Sequence, residues 1–242
     1  MVDIRNVVRT RLLALFSETF ELNTLNIEEV CAEAAAGRRS LDLCDLGCGD
    51  GIVTKRFARA AGTSKVSVVE TWQPHVEAAE AQGFSVTRDD LNSALSLRSE
   101  SFDIVVSNQV IEHLYDTERF VSEGVRLLKP GGTFVVSTEN PASWHNIAAL
   151  AIGWQPFSLA NVSRRKAGIG NPLSLGVSES GFAFPMQHHR LFTPRALREL
   201  LVLEGLTEIR CRGAGYYPLP ARLGSLDVNH AAFITVSGRK AP

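Results

Sequence analysis

The chain has 242 residues, with 25 lysines and arginines against 26 aspartates and glutamates, so its formal net charge is -1. That balance excludes a broad electrostatic attraction to nucleic acid or to an anionic membrane surface, and the length suits one α/β domain with additions. Four cysteines, Cys31, Cys44, Cys48 and Cys211, form no Cys-x-x-Cys pair and are too sparse for a disulfide scaffold, so they read as free thiols in a reducing compartment.

Taken in chain order, residues 1–37 read as an N-terminal helical cap. Ile4, Val7, Val8, Leu12, Leu15, Phe16 and Phe20 recur at intervals of three and four. This stripe predicts a helix packed over the domain, with a membrane-surface or partner-binding helix as the alternative, since Arg5, Arg9 and Arg11 flank it. Those arginines also break up any export signal, so a cytoplasmic setting is expected. Elsewhere the longest apolar run, from Ile147, is far short of the roughly 20 residues of a membrane span.

From Leu41 onward, short strand patterns alternate with helical ones, the signature of parallel βαβ units. Strands are predicted at Leu41–Leu46, Lys65–Glu70, Phe84–Thr87, Phe102–Ser107 and Thr133–Thr138, with helices at Ile52–Ala60, Pro74–Ala81 and Thr117–Leu128 between them. Pro130 and Gly131 suit a turn before the fifth strand. The cofactor-binding half is thus 38–138. Residues 139–190 break the alternation: the segment is rich in Ser, Gly, Asn and Pro yet carries Trp144, Trp154, Phe157, Phe182 and Phe184, and it reads as a folded, substrate-side insertion. Those aromatics either form the insertion's core or line an apolar acceptor pocket. Order resumes in 191–242, where Thr193 caps and Pro194 starts a helix ending before Gly205, followed by strands near Glu208–Arg212 and Ala231–Ser237.

The stretch from Asp45 to Gly51, Asp-Leu-Gly-Cys-Gly-Asp-Gly, ends the first strand. A dinucleotide fingerprint needs a third glycine where Ile52 stands, and a P-loop needs a second glycine and a Gly-Lys pair that are absent. Glu70 ends the second strand and Asp90 follows the third, so in a doubly wound sheet both lie along the same crevice as the glycines. A carboxylate after the second strand can accept from a ribose diol and repels a 2'-phosphate. The ligand these residues describe is an adenosine without phosphates.

Five segments in order carry a resemblance: DLGCGDG at 45–51, VVETW at 68–72, RDDL at 88–91, FDIVVSNQVIEHL at 102–114 and LLKPGGTFVVSTEN at 127–140. The sequence resembles the class I S-adenosylmethionine-dependent methyltransferases, and among them the bacterial group acting on small molecules and lipids that includes the ubiquinone-biosynthesis O-methyltransferases. The resemblance implies a Rossmann-like seven-stranded sheet, order 3-2-1-4-5-7-6 with strand 7 antiparallel and helices on both faces. It implies S-adenosyl-L-methionine as cofactor, with Asp45, Gly47, Cys48 and Gly49 around its methionine part. Glu70 would hold the ribose hydroxyls, Thr71 or Trp72 would lie by the adenine, Asp90 and Leu91 would fix the adenine edge, and the Asn108 backbone would meet the amino group. Glu70 departs from the aspartate common in the family and has a longer reach. The acceptor is expected to be a small molecule, glycan, glycolipid or quinone-like compound, with O-methylation favoured.

His113 and His145 are the candidate catalytic bases, and His188 and His189 are expected to line or prop the pocket. A structural role, packing with Glu112, competes for His113. No ligand spacing along the chain suggests a metal. A non-catalytic binding protein of the same fold, and less so a nicotinamide-dependent oxidoreductase, are the alternatives.

Overall fold

A computed structural model describes residues 4–38, 40–163, 165–166, 168–174 and 187–242, without the side chains of 4–9 and 12. The elements in order are α1 (Ile4–Ala35), β1 (Asp42–Leu46), α2 (Ile52–Ala60), β2 (Lys65–Val69), α3 (Gln73–Ala81), β3 (Val86–Thr87), β4 (Phe102–Asn108), α4 (Thr117–Leu127), β5 (Leu128–Glu139), α5 (Trp144–Ala151), α6 (Pro194–Leu203), β6 (Leu206–Ala214) and β7 (Phe233–Lys240). The seven strands form one sheet in the order β3-β2-β1-β4-β5-β7-β6. β7 runs antiparallel to both its neighbours, and the other pairings are parallel.

Both faces of the sheet are buried, and the strand residues divide between them with a period of two. Leu43, Ile104, Val106 and Val135 pack with Ile27, Val30 and Cys31 of α1 and Phe57 of α2. Cys44, Leu46, Val105, Phe134 and Val136 pack on the other side with Phe120 and Val121 of α4 and Leu197 and Leu201 of α6. Phe102 falls on the same side as Val105 because the β4–β5 register shifts between Phe102 and Ile104. The extra residues are those of the expected turn: Lys129 to Gly132 bulge within β5, which begins at Leu128, before regular pairing resumes with Ile104 opposite Thr133. Gly132 fits there because a β-carbon would press on the Lys129 carbonyl oxygen at 2.9 Å.

The N-terminal helix differs from its expected packing. Phe16 is 45% exposed, touching the Phe233 ring edge-on, and Leu15 and Phe20 are only half-buried. The packed face lies further on, at Thr19, Asn23, Thr24, Ile27, Val30 and Cys31. Arg56 of α2 anchors this half of α1 through Glu21 and Glu28, and Arg210 and Arg212 of β6 reach Glu29 and Glu33. No helix among the described residues is long and apolar enough to cross a membrane.

Among the described residues of 139–190, the aromatics do not form a core. Trp144 is 45% exposed, and α5 also presents Ile147 and Leu150 to solvent while burying Asn146 and Ala149. Asn146 Nδ2 donates to the Asn140 carbonyl, Ser143 Oγ and Ser158 Oγ at 2.7–3.0 Å. Trp154 and Phe157 are half-buried, and Phe182 and Phe184 lie outside the described residues.

Candidate functional site

The crevice lies at the carboxyl ends of β1, β2, β4 and β5. Where β1 ends, Gly47, Gly49 and Gly51 all take left-handed backbone conformations, with φ of 83°, 56° and 78°. Their surroundings differ. A β-carbon on Gly47 would collide with Val110 and one on Gly51 with the Phe84 ring, whereas on Gly49 the nearest atom would be His75 Nδ1 at 4.0 Å. Gly47 and Gly51 are therefore closed against protein, and Gly49 is the position with open space before it. Cys48 is buried between them, and burial raises its thiol pKa, so it is an inert packing group.

Asp45 is the buried charge of the site. Its Oδ2 accepts from Thr54 Oγ1 at 2.6 Å, while its Oδ1 is buried without a partner. Burial pushes the carboxyl up to about 7, the Thr54 hydrogen bond pulls against it, and the charge of Glu70 adds to the rise. Glu70 curls back on its own loop. Its Oε1 accepts from the Thr71 and Trp72 N–H groups at 2.8 and 3.0 Å, and its Oε2 accepts from the Gly49 N–H at 3.1 Å. With about two lone pairs per oxygen, only Oε2 retains capacity for a ribose hydroxyl. Trp72 meets His75 edge-on at 4.3 Å between ring centroids.

Asp90 is exposed and folds into a local turn, accepting from the Asn92 N–H and Nδ2 at 2.9 and 3.0 Å. The Leu91 side chain is buried in the core cluster on the α4 side, so it presents only main chain to the crevice. Asn108 ends β4, and its Oδ1 is taken by Asn23 Nδ2 and Ser137 Oγ, both at 2.9 Å.

Past β4, a short 3-10 helix at Ile111–His113 points Glu112 and His113 at the insertion. Glu112 is fully buried; its Oε2 accepts from Thr138 Oγ1 at 2.9 Å and its Oε1 has no partner. Burial pushes this carboxyl up to about 7, opposed by the nearby His188 charge. His113 Nδ1 meets the Gln187 carbonyl at 3.1 Å and His188 Nδ1 meets that of Ser158 at 2.7 Å; a carbonyl oxygen only accepts, so each ring carries a proton on Nδ1. Burial, followed by the charge of His188, lowers His113 to about 4. Glu112, His113 and His188 each offer a ligand atom, all within 4.8 Å of one another. Chain spacing suggested no metal, because His188 lies 75 positions beyond His113; folded, the trio has the donor set of a divalent cation site. His145 is not part of it. It lies against the Phe157 and Tyr217 rings, and burial lowers its pKa to about 4.

Residues 44–136 match the family described as methyltransferase domain. The chain carries an S-adenosylmethionine-dependent methyltransferase domain. Over 208 residues the methyltransferase is 28% identical to a ubiquinone biosynthesis O-methyltransferase of Rhizobium rhizogenes, covering 82% of this chain and 74% of the relative. A protein of the same name from Bartonella bacilliformis is 26% identical over 202 residues, 80% of this chain and 72% of that one. The solved S-adenosylmethionine-dependent methyltransferase of Mesorhizobium loti shares the fold, with a TM-score of 0.55 at 22% identity over 88% of this chain and 98% of that one.

Four residues grouped around the ends of β4 and β5 have no site role marked in the sequence pattern: Asn23, Gln109, Glu112 and Ser137. Of these only Glu112 carried a signal, an acidic residue just past a strand that ends at the crevice.

Proposed function

We propose that this methyltransferase moves a methyl group from S-adenosylmethionine to a hydroxyl oxygen of a small-molecule acceptor. When bound, S-adenosylmethionine supplies a methyl group on a positively charged sulfur, open to in-line displacement. The observation that carries the cofactor assignment is Asp45, a buried carboxylate with one oxygen lacking any donor. An adjacent cation lowers such a pKa and holds the carboxylate as an anion. In this reading Asp45 and the main chain at Gly47 and Gly49 hold the methionine part, Glu70 Oε2 meets the ribose, and Thr71, Trp72, Asp90 and the Leu91 main chain surround the adenine. The Asn108 main chain takes the amino group.

The choice of oxygen is supported by the relatives, which are named as O-methyltransferases of ubiquinone biosynthesis. A phenol with a pKa near 10 sits about 6 units above His113, so proton transfer to that ring before methylation would cost about 8 kcal/mol. His113 and His145 therefore serve to orient the acceptor. Glu112, held at about 7, is the better-matched proton acceptor. Alignment of hydroxyl, methyl carbon and sulfur does the remaining work and is worth about 7 to 11 kcal/mol.

Incubating the protein with methyl-labelled S-adenosylmethionine and a small-molecule extract, then recording mass spectra, tests this. The expected result is a labelled product with the label on oxygen, in step with S-adenosylhomocysteine. Label on nitrogen or carbon, or binding with no labelled product, would overturn it.

A further inference from the structure

Asn23, on α1, is fully buried. Its Nδ2 donates to Asn108 Oδ1 at 2.9 Å and to Ser137 Oγ at 3.0 Å, and its Oδ1 accepts from Thr235 Oγ1 at 3.0 Å. Ser137 Oγ also donates to Asn108 Oδ1 and accepts from Gln109 Nε2, both at 2.9 Å. A single amide of the N-terminal helix thus joins the crevice ends of β4, β5 and β7.

What it joins is strained. Gln109 has φ of 57°, in the left-handed region that a side-chain-bearing residue enters only when its surroundings hold it there. Its own N–H donates to the Ser137 carbonyl at 3.0 Å. Gln109 immediately follows Asn108, so relaxing its φ would rotate the peptide group that leaves Asn108 and redirect the main chain facing the crevice.

We propose that Asn23 is a positioning residue: through it, α1 holds the left-handed turn at Gln109 in the conformation that receives the cofactor's amino group. This rests on the assignment of Asn108 to that group. The N-terminal helix then contributes to cofactor affinity without touching the cofactor.

Calorimetry with S-adenosylhomocysteine on the full chain tests the proposal. Asn23→Leu keeps the branched shape and removes all three bonds, and should weaken affinity by about tenfold or more. Adding Gln109→Gly should restore it to within about threefold of the wild type, since glycine adopts that φ without strain. Val30→Ala also loosens α1, but through the apolar cluster, and should lower the melting temperature with affinity unchanged. Amide exchange across residues 107–113 should accelerate in Asn23→Leu. An unchanged affinity in Asn23→Leu, no recovery with Gln109→Gly, or an equal loss in Val30→Ala would overturn the proposal. Should the wild type bind no nucleoside, the cofactor assignment fails instead. Amide exchange then decides the role of Asn23 alone, with no acceleration in Asn23→Leu counting against it.

Discussion

At the β1–β2 end of the crevice, the polar groups come from the two adjoining loops after these strands and are mostly main chain: Gly49, Thr71 and Trp72 donate to Glu70, and Gly47 and Cys48 to the Val69 carbonyl. At the β4–β5 end they are side chains brought from α1, β4, β5, β7 and the insertion, such as Asn23, Asn108, Glu112, Ser137 and His188. A main-chain site survives most substitutions around it, whereas a side-chain site places chemistry and stability in the same residues. Variants at the two ends should therefore differ in kind.

Glu112→Gln probes the second end and should show the largest effect. As the proton acceptor, its loss should slow turnover by about 10²- to 10⁴-fold while S-adenosylhomocysteine binding is retained. Full activity of this variant in a labelled-methyl assay would return the role to a histidine or to water.

Asp45→Asn comes next, at the first end. Losing a charge-assisted contact of about 1.5–3 kcal/mol should weaken cofactor binding by on the order of 10- to 150-fold. The pH dependence has a definite sign. In the free protein the carboxyl is raised to about 7, so its contribution to stability is present below about pH 4 and is lost as pH rises through about 7. A bound cation favours the anion, so binding below that pH releases a proton, and affinity should climb with pH up to about 7 and then level off. Calorimetry in two buffers of different ionisation heat measures that proton, and Asp45→Asn should abolish it.

Glu70→Ala should weaken cofactor affinity by about 1.5–3 kcal/mol and also loosen the loop, because it deprives three N–H groups of their acceptor. Faster amide exchange at Gly49, Thr71 and Trp72 would separate the loop effect from the affinity effect. Asn146→Ala, just after β5, should cost about 1–3 kcal/mol of stability by removing the amide that donates to Ser158 Oγ and to the Asn140 carbonyl, which keeps only the Ser143 N–H. Denaturant unfolding checks it, and a change under half that size would mean water replaces the amide.

The same contrast explains what could be read from the chain alone. The strand, glycine turn and following helix at Leu41–Ala60 are a local pattern, and the sheet order followed from a resemblance carried by contiguous segments. The N-terminal helix was placed by its apolar stripe, but its inward face is Thr19, Asn23 and Thr24, buried polar residues that hydrophobic periodicity does not mark. His188 joins Glu112 only through tertiary structure. Residues 139–190 read as an insertion by their aromatics, yet in the described part asparagine side chains bond carbonyls and hydroxyls 6 to 16 positions away, a spacing no periodicity marks. At Lys129–Gly132 the turn chemistry and the strand beyond it are legible, but Leu128, read as the end of the helix, already pairs with Phe102 as the start of that strand.

The sheet's two margins follow from features already seen. β3 has two residues, too few to template a partner, and β6 carries Arg210 and Arg212 matched by α1 carboxylates. A foreign strand pairing at either margin would find too few hydrogen bonds on one side and a fixed charge pattern on the other. Edge-to-edge aggregation is discouraged at both ends of the sheet, which leaves the long central strands free to be as apolar as the core requires.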